Sequence, residues 1–255
     1  MTLPVFLGPV SGVAVGDSVV VEGDEARHAV VVRRIRVGER VLLVDGHGTS
    51  ATCAVTSTSR AAQTAGQSAA LSAVLSATVE HVAVEPSPSP SVTVVQAIPK
   101  GDRGELAVEV LTEIGVDRIV PWAAARSVGV WRGQRSHKAL ARWRSTAREA
   151  GKQSRRSWLP EVTTMATTHE VAALLEQADL AVVLHEGANA SLSALSLDGV
   201  RSIVVVVGPE GGLTDEELSV FGGGHVVAMG ESVLRTSTAG VAAVAALLSR
   251  TARWT

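Results

Sequence analysis

The chain has 255 residues, 46% of them apolar, and carries 23 Lys and Arg against 25 Asp and Glu for a net charge of −2. That length suits one large α/β domain or two smaller ones, and the apolar share is enough for a substantial core. One cysteine, Cys53, excludes an internal disulfide and a cysteine zinc site, and seven scattered histidines give no metal-binding pair, so no metal is expected.

No apolar run approaches the roughly 18 residues that a membrane span needs. The start, MTLPVFLGPVSG, lacks the basic region of a signal peptide, and a cytoplasmic location is expected. Residues 1–84 alternate short apolar runs with turn signals: SVVVEG, ERVLLVDGHGT, ATCAVTSTS and LSAVLSATVEHVAV. They predict a small, mostly β domain built as a barrel, with DGHG as a hairpin turn and one helix near Glu25 to Val32. The Ser/Thr/Ala-rich stretch from Thr56 to Ala77 is weakly patterned. EPSPSPS, residues 85–91, is a Pro/Ser linker.

After the linker, residues 92–255 alternate strands and helices. VTVVQAI is a strand ended by Pro99, and GELAVEVLTEIGV a helix with Leu106, Val110, Leu111 and Ile114 at helical spacing and Gly115 as its stop. RIVPW is the next strand. A helix from about Ser136 to Gly151 buries Leu140, Trp143 and Ala147 while Lys138, Arg142, Arg148 and Lys152 point elsewhere. EVAALLEQA precedes the strands LAVVLH and SIVVVV; HVVAM is the last strand and AGVAAVAALLSR the last helix. Strands that are apolar throughout and separated by helices predict a parallel sheet covered on both faces. In the last helix Val241, Val244, Ala245 and Leu248 make too many sides apolar for simple surface packing, which predicts a dimer interface.

The charge is unevenly spread. Residues 132–156 hold nine Lys or Arg against the single acid Glu149, and Arg27, Arg33, Arg34, Arg36 and Arg40 fall within fourteen residues. Two such patches on a slightly acidic chain point to a polyanionic partner.

In open parallel sheets ligands bind beyond the carboxyl ends of the strands. Three loops leave such ends: LHEGAN, GPEGGL and GESVLRTST. Thr214 can cap the helix after GPEGGL, with Glu217 completing a capping box, and Thr236 or Ser237 can cap the final helix. The glycines allow close backbone approach to a flat ligand, and Glu210 offers a carboxylate to a cationic one. Neither a dinucleotide fingerprint nor a phosphate-binding Walker loop is present.

The stretches GPEGGLTDEEL and GESVLRTSTA resemble the paired signature of the ribosomal RNA small subunit methyltransferase E family, of the SPOUT class of S-adenosylmethionine-dependent methyltransferases. RHAVVVRRIRVGERVLLVDGHG, QAIPKGDR with TEIGVDRIVPWAAARS, and AREAGKQSRRSWLPEV are similar to its other blocks, in the same order. The resemblance implies a PUA-like N-terminal barrel for RNA, an α/β SPOUT domain with a trefoil knot, homodimerisation, and methylation of uridine N3 in 16S rRNA of the small ribosomal subunit. By motif match the S-adenosylmethionine pocket is lined by Leu184, His185, Gly208, Glu210, Gly211, Gly212, Met229, Gly230, Val233 and Leu234. Arg235 and Glu210 are the candidate catalytic residues, Arg235 by orienting the base or favouring the uridinate. His28, Arg34, Lys100, Arg126, Gln153 and Arg156 are candidate RNA contacts. Three places depart from the family pattern: Arg33 replaces a leucine, Ser232 an arginine, and Thr236-Ser237-Thr238 the usual Thr-Glu-Thr. Glu186 has no assigned role. Two alternatives stay open: a ribosome-assembly factor without catalysis, and a ribose 2′-O-methyltransferase, whose Arg and Asn signature is not evident.

Overall fold

The structure, a computed structural model, describes residues 2–61, 72–129, 131 and 133–254. Residues 62–71 of the Ser/Thr/Ala-rich stretch and Arg132 of the basic run lie outside the described residues. The chain divides into two compact units, Met1–Ser87 with Gly151–Leu159, and Pro88–Ala150 with Pro160–Thr255.

In the first unit, β1 (Val5–Leu7), β2 (Ser18–Glu22), β3 (Arg40–Val44), β4 (Thr49–Ala61) and β5 (Ser72–Val84) form one sheet in the order β1-β3-β4-β5-β2. All pairs are antiparallel except β1 with β3. Alternation puts Val19 and Val21, Ala51, Cys53 and Val55, and Ala73, Leu75, Ala77 and Val79 on one face, around Phe6, Val41 and Leu43. Helix α1 (Gly23–Arg27) and the π-helical turn His28–Val32 add Ala26, Ala29 and Val30 to that core. The short strand β1 had no sequence signal.

DGHG is the β3–β4 turn. Asp45 holds it: Oδ1 accepts from the N–H of His47 at 2.7 Å and of Thr49 at 2.9 Å, and Oδ2 from the Ser11 hydroxyl at 2.6 Å. Residues 151–159 fold onto this turn. The Gly48 N–H donates to the Ser157 carbonyl, the Leu159 N–H to the Gly46 carbonyl, and the Trp158 indole to the Glu85 carbonyl at 3.1 Å. Lys152, expected to point away from the protein body, is buried and pairs with Glu25 at 2.9 Å. A charge this deep is stable only with such a partner. Burial, then the charge of Glu80, pushes the Cys53 thiol up to about 11, so it stays a neutral core side chain.

The second unit is a seven-stranded, all-parallel sheet. Its strands are β6 (Ser91–Ala97), β7 (Arg118–Trp122), β8 (Glu161–Val162), β9 (Leu180–Leu184), β10 (Ala190–Ser191), β11 (Ser202–Val207) and β12 (His225–Ala228), in the order β10-β12-β9-β11-β6-β7-β8. Its helices are α2 (Arg103–Ile114), α3 (Gln134–Gln153, which runs into the first unit's segment), α4 (Thr168–Gln177), α5 (Asp215–Val220) and α6 (Thr236–Leu248). Both faces are buried: Ile203, Val205 and Val207 pack with residues of α2, α3 and α6, and Val204 and Val206 with residues of α4 and the Leu213–Phe221 region. That is why these strands read as unbroken apolar runs.

Helix α2 stops at Gly115, which has φ +105°, but its buried face is not the one expected. Gly104, Ala107, Val108, Leu111 and Thr112 are buried, while Leu106 is exposed and Val110 and Ile114 are half-buried. The reason is Gly104: a Cβ there would lie 2.8 Å from the Trp143 ring, so the missing side chain makes the contact. The N-cap of α6 is Arg235 rather than Thr236 or Ser237, and no side chain caps it; Thr236 and Ser237 are already inside the helix and buried. Helix α4 carries a capping box, Thr167 with Glu170, that the motif pattern did not single out. Two of the residues expected at a dimer face, Val244 and Leu248, fill the unit's own core.

Candidate active site

Strands β12, β9 and β11 are neighbours, so their carboxyl-terminal loops come together at one sheet edge. The loops enclose a cavity of about 360 Å³. Leu184 and His185 line it after β9, Gly208, Glu210 and Gly212 after β11, and Met229, Gly230, Val233, Leu234 and Arg235 after β12. Of the expected pocket residues only Gly211 is not part of the lining. Apolar walls come also from Val207, Leu213, Val227 and Ala239. Val233 is 74% exposed and Leu234 41%, so these side chains are free at the rim and not core packing.

The GPEGG loop is held from outside at several points. Glu210 Oε1 accepts from the backbone N–H of Lys100 at 3.2 Å. Arg126 Nη1 donates to the carbonyls of Gly211 at 3.1 Å and Leu213 at 3.2 Å. Glu217, almost fully buried, accepts from the Ala125 N–H at 2.7 Å through one oxygen and from the Thr214 N–H at 2.9 Å through the other. Thr214 returns the bond, its hydroxyl accepting from the Glu217 N–H, which completes the expected capping box. Within the loop Gly212 has φ +71°, and its N–H donates to the Pro209 carbonyl. Glu216 is held below the ordinary carboxylate range, first by its own backbone N–H, then by the Thr214 hydroxyl, with a smaller effect of the Arg126 charge.

His185 Nδ1 accepts from the Gly187 N–H at 3.1 Å, which leaves the ring proton of the neutral form on Nε2. Arg235 is exposed, and its guanidinium has no partner among the described residues; its backbone carbonyl accepts the first helical bonds of α6. Gln96, fully buried at the end of β6, donates through Nε2 to the carbonyls of Thr236 at 3.3 Å and Ala97 at 3.1 Å. It thereby fixes the turn that carries Arg235. Gln96 was missed because an amide in an apolar strand carries no motif signal. Arg103 was missed too, although it opens α2 just beyond β6, where the strand-end rule would have found it; it lines the cavity, as do Glu186, Glu231 and Ser232.

An adenosine with an aliphatic, zwitterionic tail fits this donor set: an aliphatic slot, glycine-rich loops whose backbone a flat ligand can approach, and both carboxylate and guanidinium groups at the walls.

The candidate RNA contacts lie in both units. His28 is half-buried, with its ring edge-on to Phe6 at 5.7 Å. Arg34, Lys100 and Gln153 are exposed. Arg126 is committed to the loop carbonyls, and Arg156 is half-buried with its N–H on the Gly151 carbonyl. The basic run of 132–156 is thinner than its composition: Lys152 is paired with Glu25, Arg142 with Glu105 at 3.3 Å, and Arg144 and Arg155 donate to the carbonyls of Val162 and Leu3. Arg135, Lys138 and Arg148 stay exposed without a partner among the described residues.

Residues 85–248 match the domain model described as an RNA methyltransferase domain, and residues 21–62 that of an RNA methyltransferase PUA domain. A ribosomal RNA small subunit methyltransferase E of Mycobacterium tuberculosis is 40% identical over 245 residues, covering 94% of this chain and 89% of that one. The Bacillus subtilis protein of the same name is 29% identical over 240 residues, covering 91% and 90%. The solved structure of the Neisseria gonorrhoeae protein of that name, bound to S-adenosyl methionine, superposes with a TM-score of 0.77 at 28% identity over 97% of this chain and 98% of that one. A Legionella pneumophila protein in complex with the same cofactor shares the fold, with a TM-score of 0.83 at 22% identity over 98% of each chain. On this match of sequence, domain models and fold, the chain belongs to the ribosomal RNA small subunit methyltransferase E family, with a PUA-like N-terminal domain and a SPOUT-type α/β domain.

Proposed function

We propose that the chain transfers a methyl group from S-adenosylmethionine to N3 of a uridine in 16S rRNA of the small ribosomal subunit. The observation that carries the reading is the cavity at the ends of β9, β11 and β12, with an unpaired Arg235 on its wall among the described residues. The donor supplies a methyl group on a cationic sulfur. Leu184, Val207, Leu213 and Met229 offer it an apolar slot, the loop amides hold its polar edges, and Glu210 places negative charge beside it. Uracil N3 must lose its proton as the N3–CH3 bond forms and the S–CH3 bond breaks. Arg235 favours the uridinate electrostatically; it stays protonated, so the proton passes to another group or to water.

The PUA-like unit and the exposed cations Arg34, Lys100, Arg135, Lys138 and Arg148 serve the RNA, with His28, Gln153 and Arg156 as further contacts. The reading includes a cytoplasmic homodimer. The outward side of α6, with half-buried Val241 and Ala245 and exposed Ala242 and Ala246, supports such an interface. It also includes a trefoil knot, which the family resemblance implies.

Mass spectrometry of rRNA nucleosides from cells with and without the protein tests the reaction: 3-methyluridine in the small subunit is expected only with it. An unchanged 3-methyluridine level would overturn it. Calorimetry with S-adenosylmethionine separates this reading from a non-catalytic assembly factor, which gives no heat.

A further inference from the structure

Strand β6 ends in Val94, Val95, Gln96 and Ala97, all of them buried, and Gln96 is fully so. Its register partner on β11 is Val207, which lines the cavity. A glutamine amide brings two N–H donors and an acceptor oxygen, and buried polar atoms are as a rule hydrogen-bonded. Here Nε2 meets two backbone carbonyls, those of Ala97 and Thr236. Oε1 is buried and has no hydrogen-bond partner among the described residues. Turning the amide over would set Oε1 against the same two carbonyls, so the network forces this orientation.

For stability alone the arrangement is a poor one. A buried acceptor left unpaired costs more than a typical hydrogen bond returns. Methionine fills nearly the same space with no such atom, and packing by itself would favour it or an aliphatic side chain here. Local rules of this kind are broken mainly at functional sites. What the amide holds is the start of α6. Residues 230–234 make no hydrogen bond among the described residues, residues 230–235 are all exposed, and no side chain caps α6 at Arg235. The first buried residue after this run is Thr236, and its carbonyl is the one that Gln96 takes. Arg235 directly precedes it.

We infer that Gln96 is a positioning residue for methyl transfer: its amide pins the Thr236 carbonyl so that Arg235 stays on the cavity wall, and the unpaired Oε1 is a loss of stability accepted for that geometry. Gln96 is not part of the cavity lining and acts through Arg235. A charge-stabilising group is effective only when it is preorganised, and a misplacement of about 1 Å can lower a rate about 100-fold. The inference rests on the methyl transfer to uridine N3 proposed above.

The test is Gln96→Met, which keeps the bulk of the side chain and removes both the donor and the unpaired oxygen. Thermal unfolding is expected to give a Tm no lower than that of the parent chain. S-adenosylmethionine affinity measured by calorimetry should hold, while the single-turnover rate on unmethylated small subunits falls about 10-fold. A double-mutant cycle checks that Gln96 acts through Arg235: in an Arg235→Ala background, Gln96→Met should lower the rate no further. A stable Gln96→Met protein with the parent's rate would overturn the role. An equal fold-loss in both backgrounds would also overturn it, since the effect would then be independent of Arg235. So would a large drop in Tm, which would make the amide a folding contact. A parent chain that forms no 3-methyluridine in the subunit would overturn the proposed reaction and this role with it, whereas an active parent matched by Gln96→Met overturns the role alone.

Discussion

Arg126 lies with Nη1 3.1 Å from the carbonyl oxygen of Gly211, a bond that ties the loop after β7 to the glycine-rich loop after β11. Motif resemblance places Arg126 among the RNA contacts, whereas the geometry makes it a brace. The same nitrogen also reaches Leu213, and Glu217 returns the tie through the Ala125 N–H. The loop that forms one wall of the cavity is thus shaped from the end of β7, which lies two strands away in the sheet. Arg126→Ala should weaken S-adenosylmethionine binding about 10-fold, the scale of losing hydrogen bonds from a charged donor. Calorimetry reads this directly. If donor affinity holds and RNA affinity falls instead, Arg126 returns to the RNA-contact role.

Arg235 divides binding from chemistry. It sits on the cavity wall, and Gln96 fixes its turn through the Thr236 carbonyl. Arg235→Ala should lower the methyl-transfer rate about 100-fold, as for loss of one preorganised charge-stabilising donor, with little change in donor affinity. Single-turnover kinetics beside calorimetry separates the two. Equal activity in the variant removes Arg235 from the mechanism.

Gly48 shows how tightly residues 151–159 sit on the β3–β4 turn. Its φ is +101°, and a Cβ there would fall 2.6 Å from the Trp158 indole nitrogen and 2.7 Å from the Glu85 carbonyl oxygen. The second neighbour is backbone and cannot swing aside. Gly48→Ala should cost about 3 kcal/mol through overpacking and strain, measured by denaturant unfolding. A loss under about 0.5 kcal/mol, the range of neutral surface changes, would contradict this packing.

Asp45 adds a pH dependence to the same turn. Burial works to raise its pKa, but hydrogen bonds from Ser11, His47 and Thr49 together outweigh burial and hold it below the ordinary 3.8. A carboxylate with a depressed folded pKa contributes stability that is fully present above its unfolded value and is lost as pH falls through its folded value. Asp45→Asn should therefore be less stable than the parent at neutral pH, and the difference should narrow only below about pH 4. Thermal unfolding across that range checks it; a gap that stays constant into acid would count against it.

The sheet and its ligand edge were legible because their causes are local. The valine run of β11 is unbroken since both faces are covered, and Thr214 with Glu217 spells a capping box in four letters. Contacts made by missing side chains, or between distant residues, were not legible. The buried face of α2 is set by Gly104 against Trp143, and a periodicity of apolar residues counts a glycine as nothing. Lys152 reads as a solvated cation until Glu25, 127 positions earlier, is seen beside it. Arg126 is a like case: motif resemblance marks it as an RNA contact, and its bonds to the carbonyls of Gly211 and Leu213, 85 and 87 positions away, carry no signal in the chain. Motifs located the cavity, but not the braces that shape it.

The return of residues 151–159 to the β3–β4 turn makes the first unit discontinuous along the chain. A nascent polypeptide cannot complete that unit when Val84 leaves the ribosome; it must wait for Leu159, after much of the second unit has been synthesised. Cutting the gene after Ser87 would leave Glu25 without its ammonium partner and Gly46 and Gly48 without their backbone partners, so the amino-terminal fragment is an incomplete domain and not a portable RNA-binding module.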